Sequence, residues 1–323
     1  MCTAITFEKK DFYFGRSLDL EYSYHETVTI VPRAYPLHFR KVPSLSRHHA
    51  VIGMAFVQDN YPLFYEAVNE KGLGMAGLNF PDNARYFAEE KGKDNLAPFE
   101  FIPYILASCS TLDEARDKLK NVHLVDIPFS RELPNTSLHW IIADRSGAVV
   151  VETTEEGMRV YDNPVGVLTN NPPFPMQMNR LSDYMALSIL PPENNFSAAL
   201  PLRAYSRGMG AMGLPGDLSS ASRFVRAAFI KHNSLCGERE EDCVGQFFHI
   251  LGGVEQQRGC VKLGEKFEIT IYTSCCNATR GIYYYTTYGN RRIRAVDMHR
   301  ENLESDKLVS YPVTDQEDID YLN

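Results

Sequence analysis

What most constrains this chain is the spacing of its apolar residues, which come in short contiguous runs broken by turn signals. Runs such as Trp140-Ile141-Ile142 and Val149-Val150-Val151 have no polar alternate. Successive side chains of a strand point to opposite faces, so a run of this kind is dry on both sides. The pattern predicts strands over Cys2–Glu8, Phe12–Leu18, Glu26–Pro32, His49–Gln58, Pro62–Asn69 and Leu73–Phe80. A second block covers Ser137–Asp144, Ala148–Thr154 and Met158–Asn163, and a third Glu268–Cys276, Gly281–Tyr288 and Arg292–Met298. Helices fall between the blocks. Thr111-Leu112-Asp113-Glu114 is a capping box opening Leu112–Val122, and Phe99–Ser108 is apolar at helical spacing. Ser222–Leu235 and Asp242–Gln256 form a helical pair, Leu181–Leu190 is a weaker helix, and Pro191–Pro201 is a loop. Strand blocks separated by helical pairs imply an α+β fold, one domain over residues 1–323, with helices covering two stacked sheets.

Charge narrows the partners. Lysine and arginine number 33 against 41 acidic residues, a net charge of −8, and the basic residues are scattered. A surface that tracks phosphates is not built this way, so nucleic acid is excluded as a partner. No run approaches the length of a membrane span, and the N-terminus lacks the charged and apolar regions of a signal peptide. The seven cysteines form no CxxC pair and are odd in number, which suits free thiols in a reducing cytosol.

Cys2 is the residue with the most chemistry in it. Cysteine in second position is small enough for Met1 to be trimmed, which leaves a thiol and a free α-amine on one residue. The amine has a reference pKa near 7.7–8.0 and the thiol one near 8.5, so the amine can accept the thiol proton. Nucleophile and base then come from a single residue. A hairpin turning at Lys9-Lys10 brings Gly15-Arg16-Ser17-Leu18-Asp19 beside Cys2. Asp19 is placed to hold the amine and Arg16 to favour the thiolate. A two-residue turn makes Arg16 face Thr3, so a bulge is expected at Gly15. Read by residue type alone, Asn79 and Asn170 are turn asparagines, Arg223 is solvated, and Arg16–Asp19 is a surface pair.

Several longer blocks change that reading. Met1-Cys2-Thr3 with Phe14-Gly15-Arg16-Ser17-Leu18-Asp19 resembles the start of the choloylglycine hydrolases, the family of bile salt hydrolases and penicillin V acylases. The likeness continues in Asn69-Glu70-Lys71-Gly72-Leu73-Gly74-Met75-Ala76-Gly77-Leu78-Asn79-Phe80, in Leu138-His139-Trp140 and in Gly166-Val167-Leu168-Thr169-Asn170-Asn171-Pro172. It resumes at Leu214-Pro215-Gly216-Asp217, Ser222-Arg223-Phe224, Gln246-Phe247-Phe248-His249 and Tyr283-Tyr284-Tyr285. The resemblance implies a four-layer αββα sandwich of the N-terminal-nucleophile hydrolase type. It implies Cys2 as nucleophile and base, Arg16 and Asp19 beside it, and Arg223 near the nucleophile. Asn170 matches a residue whose side chain stabilises the oxyanion, and Asn79 one whose backbone N–H does so. Asparagine at position 79, where penicillin V acylases tend to carry tyrosine, points to conjugated bile salts as substrates, glycine or taurine joined to a steroid acid.

Such substrates need an apolar groove with a polar mouth. Tyr65 and Phe129 are the expected wall residues, and Arg207 the partner of the leaving group's anion. No cofactor and no metal is called for, and adjacent His48-His49 is a poor metal pair because strand neighbours diverge. The family likeness further implies a homotetramer in the bacterial cytoplasm. Alternatives are a penicillin V or other aliphatic-amide acylase on the same scaffold, a Cys–His hydrolase, and a non-catalytic steroid-binding protein.

Overall fold

A computed structural model describes residues 1–323 and gathers the strands into two large antiparallel sheets. The first six are β1 (Cys2–Glu8), β2 (Phe12–Leu20), β3 (Thr27–Val31), β4 (Val51–Gln58), β5 (Tyr61–Asn69) and β6 (Gly74–Asn79). Short β7 (Asp94–Leu96) precedes helices α1 (Phe101–Ser108) and α2 (Leu112–Leu119), which lead to β8 (Val122–Leu124). The middle block is β9 (Leu138–Asp144), β10 (Gly147–Thr154), β11 (Gly157–Asp162) and β12 (Val167–Leu168), followed by α3 (Phe174–Arg180). Helices α4 (Ser220–Asn233) and α5 (Glu240–Gly252) lead to the small hairpin β13 (Lys262–Leu263) and β14 (Lys266–Phe267). The chain ends with β15 (Ile269–Asn277), β16 (Ile282–Thr287), β17 (Arg294–Asp297) and β18 (Val309–Pro312).

The six-stranded sheet runs β12-β1-β2-β15-β16-β17, and the eight-stranded sheet β11-β10-β9-β6-β5-β4-β3-β18. Helix α4 packs on β1, and α5 on β2 and β15; α1 packs on β4, β5 and β6, and α2 on β9. The order of layers is therefore helix, sheet, sheet, helix, the expected αββα sandwich. Contiguous apolar runs follow from it. Val150 and Ile141 point into a core of 43 buried residues, whereas Val149, Val151, Trp140 and Ile142 point into a second core of 23. Both faces of these strands are dry, and polar alternation has no place.

Three local expectations need correcting. Helix α2 stops at Leu119 and not at Val122, because Val122–Leu124 pairs in parallel with β7. The weak helix expected at Leu181–Leu190 is only a single 3-10 turn, Leu181–Tyr184, and the α-helix lies just before it at Phe174–Arg180. Pro173 and Pro175 stand at its start, where a first turn tolerates proline because its N–H groups have no intrahelical partner. The third concerns the first hairpin. Glu8 pairs with Phe12, so the loop is the three residues Lys9-Lys10-Asp11. One added loop residue turns the register over. Arg16 opposes Ala4 and Leu18 opposes Cys2, so Cys2 and Arg16 share a face with no bulge at Gly15. Gly15 meets a different demand, since a Cβ there collides with the Ser274 carbonyl of β15.

The bulges lie elsewhere. Between β4 and β5, Met54 pairs with Glu66 and Ala55 with Phe64, which leaves Tyr65 as an extra residue. Between β15 and β2, Thr270 pairs with Asp19 and Tyr272 with Leu18, which leaves Ile271 extra. The first lies beside the Arg16 side chain, and the second lies across β2 from Leu18, the partner of Cys2.

Candidate active site

The bulge at Tyr65 opens the eight-stranded sheet. Pairing between β5 and β6 ends at Glu66↔Ala76, while β6 continues to pair with β9 as far as Asn79↔Leu138. The backbone edge of Gly77 and Asn79 that faces β5 therefore has no strand against it. Side chains occupy that edge instead. Arg16 Nη1 donates to the carbonyl oxygens of Tyr65 at 3.2 Å and Gly77 at 2.5 Å. Asn170 Nδ2 donates to the Asn79 carbonyl oxygen at 2.7 Å. A strand residue presents its N–H and C=O on one edge, so the Asn79 N–H faces the same opening.

Cys2 sits at the head of β1 and is 2% exposed. Its nitrogen donates to Asn170 Oδ1 at 2.8 Å. The same Oδ1 accepts from Arg223 Nη2 at 2.8 Å, while Arg223 Nη1 donates to the Cys2 carbonyl and to Thr3 Oγ1, each at 2.6 Å. Arg223 comes from the first turns of α4 and is fully buried, not solvated. Burial pulls its pKa down, with Asp19 and Cys2 acting against that.

Arg16 is also fully buried, and its Nη2 has no partner. Burial opposes its charge, but Cys2, then Tyr272, Glu66 and Asp19, outweigh burial and raise its pKa. Asp19 lies on the opposite face of β2. Its carboxylate accepts from Thr270 Oγ1 at 2.7 Å and from Ser17 Oγ at 3.4 Å, and stands 3.9 Å from Arg223 Nη1. The nitrogen of Cys2 is thus held by Asn170 and not by Asp19. The backbone N–H of Asp19 binds the Met1 carbonyl at 2.8 Å, and the Met1 ammonium rests against the Glu268 carboxylate.

Cys2, Arg16, Asp19, Asn79, Asn170 and Arg223 therefore converge, and the expected groove residues do so unevenly. Tyr65 borders the cluster through its carbonyl, with its ring 6.5 Å from that of Tyr272. Phe129 packs in an aromatic group with Phe99 and Tyr61, at 5.2 and 5.9 Å, under the Arg40 guanidinium. Arg207 is exposed on its loop, and none of the cluster's bonds reaches it. His48 and His49 do not converge: His48 Nδ1 and Nε2 face the carbonyls of His49 and Tyr35, and His49 Nε2 faces Ser110 Oγ. Residue-type reasoning missed Thr270, Ser220, Gln177, whose Nε2 donates to the Asn170 carbonyl at 2.6 Å, and the buried acids Glu66 and Glu152. The one signal available was a charged or polar residue inside an otherwise apolar strand, as at Glu66, His139 and Glu152.

Comparison with known proteins follows the same lines. Residues 2–311 match the model of linear amide C-N hydrolases, choloylglycine hydrolase family. The chain belongs to the choloylglycine hydrolase family. This hydrolase is 52% identical over 314 residues to a bile salt hydrolase/transferase of Lactiplantibacillus plantarum, with 97% of each chain covered. It is 40% identical, over the full length of both, to a bile salt hydrolase/transferase of Clostridium perfringens. A solved structure of a variant Clostridium perfringens conjugated bile acid hydrolase superposes with a TM-score of 0.92 at 39% identity, covering all of both chains. The penicillin V acylase of Agrobacterium tumefaciens, at 16% identity and TM-score 0.76, covers 96% of this chain and 90% of its own and shares the fold. No helix of the hydrolase is long and apolar enough to cross a membrane.

Proposed function

We propose that the chain cleaves the amide bond of glycine- or taurine-conjugated bile salts, using Cys2 as nucleophile and, once Met1 is removed, its own α-amine as base. The observation that carries this reading is the Cys2 nitrogen, 2.8 Å from Asn170 Oδ1 and inside a buried cluster. Removal of Met1 turns that nitrogen into an amine already held in place. The thiol proton passes to the amine, and the thiolate, beside the cationic Arg16, attacks the carbonyl carbon. The oxyanion is met by the second Nδ2–H of Asn170 and the backbone N–H of Asn79, each donor contributing a few kcal/mol, about 2.7–4. The C–N bond breaks, the leaving amine takes the proton from the Cys2 ammonium, and a thioester remains. Water then attacks the thioester, the amine accepts its proton, and the free acid leaves as the thiol re-forms.

In this reading Tyr65 and the aromatic group around Phe129 contact the steroid, and Arg207 meets the anionic end of the conjugate. Relatives named as bile salt hydrolases support the substrate over the penicillin V alternative, since the acylase likeness extends to fold alone. A homotetramer in the bacterial cytoplasm belongs to the same proposal; exposed Met185, Ile189, Phe196 and Tyr205 offer apolar surface for assembly, and a monomer in light scattering removes that part.

The test is turnover of glycocholate and penicillin V in competition, followed by mass spectrometry, with intact mass reporting whether Met1 is gone. Glycocholate should be cleaved in clear excess, and Cys2→Ala should lower kcat by about 10⁴-fold or more. Full activity in Cys2→Ala, or in protein that keeps Met1, sinks the mechanism; excess phenoxyacetate release sinks the substrate.

A further inference from the structure

Two segments supply the oxyanion donors in the proposed reaction, the end of β6 at Asn79 and the loop after β12 at Asn170. Neither belongs to the other's sheet. Something must hold them in mutual register, because such donors act only when fixed before the charge forms.

His139 touches both. It lies on β9 beside β6, opposite Leu78, and is 0% exposed. Its ring stacks on Phe80, the residue after Asn79, with centroids 4.3 Å apart and planes 5° from parallel. Its Nε2 stands 2.8 Å from the carbonyl oxygen of Thr169, the residue before Asn170. A carbonyl only accepts, so Nε2 carries a proton. Its Nδ1 stands 3.1 Å from Glu152 Oε1, and Glu152 is 1% exposed. That contact needs a second proton, on the ring or the carboxyl, so a buried hydrogen bond joins the pair. Glu152 Oε1 also accepts from the Phe174 N–H at 2.9 Å, which anchors the far end of the same loop.

The Thr169 carbonyl and the Asn170 N–H belong to one peptide plane, and this plane is gripped at both ends. His139 holds the carbonyl, and Ser220 Oγ at the start of α4 accepts from the Asn170 N–H at 2.7 Å. A peptide plane fixed at both ends gives the Asn170 side chain a fixed starting point, from which Nδ2 reaches the Asn79 carbonyl and Oδ1 meets Arg223.

We propose that His139, backed by Glu152, is a positioning residue that locks the Asn170 peptide and the Asn79–Phe80 strand end into a single oxyanion site. It contacts no substrate, and it acts by keeping two donors aimed at one point. This role rests on the amide-hydrolase reading above and extends it to residues that the cluster around Cys2 does not include. A purely structural histidine shares the burial but not the expected kinetic signature.

The experiment compares His139→Gln, the double variant His139→Leu with Glu152→Leu, and Ser220→Ala in glycocholate turnover. Substrate affinity is measured separately for each change in a Cys2→Ala background. The double variant removes the buried acid together with its partner, so no charge is stranded. It should lower kcat by about 30–100-fold with the dissociation constant moved less than about threefold, because donor alignment is felt in the transition state. His139→Gln keeps a donor near Thr169 and should recover to within about fivefold of the unaltered protein. Ser220→Ala, a milder change at a helix start, loosens the other end of the same plane and should lower kcat about tenfold at constant affinity. If the double variant does not fold, Ser220→Ala decides the question. Unchanged kcat in the folded double variant or in Ser220→Ala, or loss of affinity in step with kcat, overturns the proposal. Lack of turnover by the unaltered protein refutes the hydrolase reading instead, and the two failures are told apart in one assay.

Discussion

The two cores of this protein obey different rules. The smaller, between the eight-stranded sheet and α1–α2, is filled by residues such as Ile105, Leu106, Trp140, Ile142 and Val151. Its buried polar groups serve the backbone: Asn69 Nδ2 binds the carbonyls of Leu106 and Cys109 at the end of α1. The larger core surrounds fully or nearly fully buried Arg16, Asp19, Glu66, His139, Glu152 and Arg223. Burying a charge is costly unless it is paired and hydrogen-bonded. A chain that concentrates six titratable groups around one core and leaves the other mostly apolar has largely separated the work of cohesion from the work of chemistry. Substitutions in the two layers should therefore fail in different ways.

Among changes that compare the two cores, Arg16→Met should give the largest effect and fail on both counts. Glu66 Oε2 lies 3.9 Å from Arg16 Nε, and above neutral pH loss of the cation strands that carboxylate in the interior. Stranding one member of a buried pair costs about 3–5 kcal/mol. Catalysis should fall as well, by about 10²-fold or more, since the thiolate and the open strand edge both lose their cation. Adding Glu66→Gln should recover much of the melting temperature and none of the turnover. Recovery of both together shows that Arg16 matters only for folding.

Phe101→Ala tests the other layer. Phe101 is 0% exposed and meets Trp140 edge-on at 5.0 Å. Truncation of a buried phenylalanine costs about 3–5 kcal/mol, so denaturant midpoints should drop sharply. Turnover per folded molecule should hold steady well below the melting temperature. A parallel fall in kcat breaks the separation between the layers.

The same contrast explains what could be read from sequence. The apolar layer was legible because Trp140-Ile141-Ile142 and Val149-Val150-Val151 announce two-sided burial by composition alone, and the division into strand blocks followed from turn signals. The chemical layer was legible only where long blocks resembled a known family. By residue type, Arg223 looked solvated and Asn79 looked like a turn, because burial of either depends on partners more than eighty residues away, such as Cys2 for Arg223 and Asn170 for Asn79. Register was lost to a single loop residue, Asp11, whose inclusion moved Arg16 from one face to the other. The bulges at Tyr65 and Ile271 left no mark in residue pattern at all, since each sits in an unbroken strand-like run. Bulges answer to the far side of the sheet, and a single chain segment does not carry that information.

Glu66 offers the smallest and sharpest contrast between the layers. Burial pushes its carboxyl up to about 7, more than Arg16 and the hydroxyls of Tyr283 and Tyr272 pull it down. A carboxyl raised in the folded state binds a proton that the unfolded chain has already released, so between its ordinary value of 4.5 and about 7 folding takes up protons. Its contribution to stability is complete below that window and is lost as pH rises through about 7. Glu70 and Asp217, held down to about 2 by Arg33 and by serine hydroxyls among other partners, lose stability in the opposite direction and only on acidification. Their windows lie below that of Glu66, so the two kinds of group separate cleanly. Glu66→Gln fixes the neutral form, and chemical denaturation of both proteins from pH 5 to 8 isolates the effect. The variant should gain on the unaltered protein as pH rises and show no relative gain at the acid end. A difference that is flat across this range means that the Arg16 charge neutralises Glu66 fully, and that the polar layer carries no net electrostatic strain at this position.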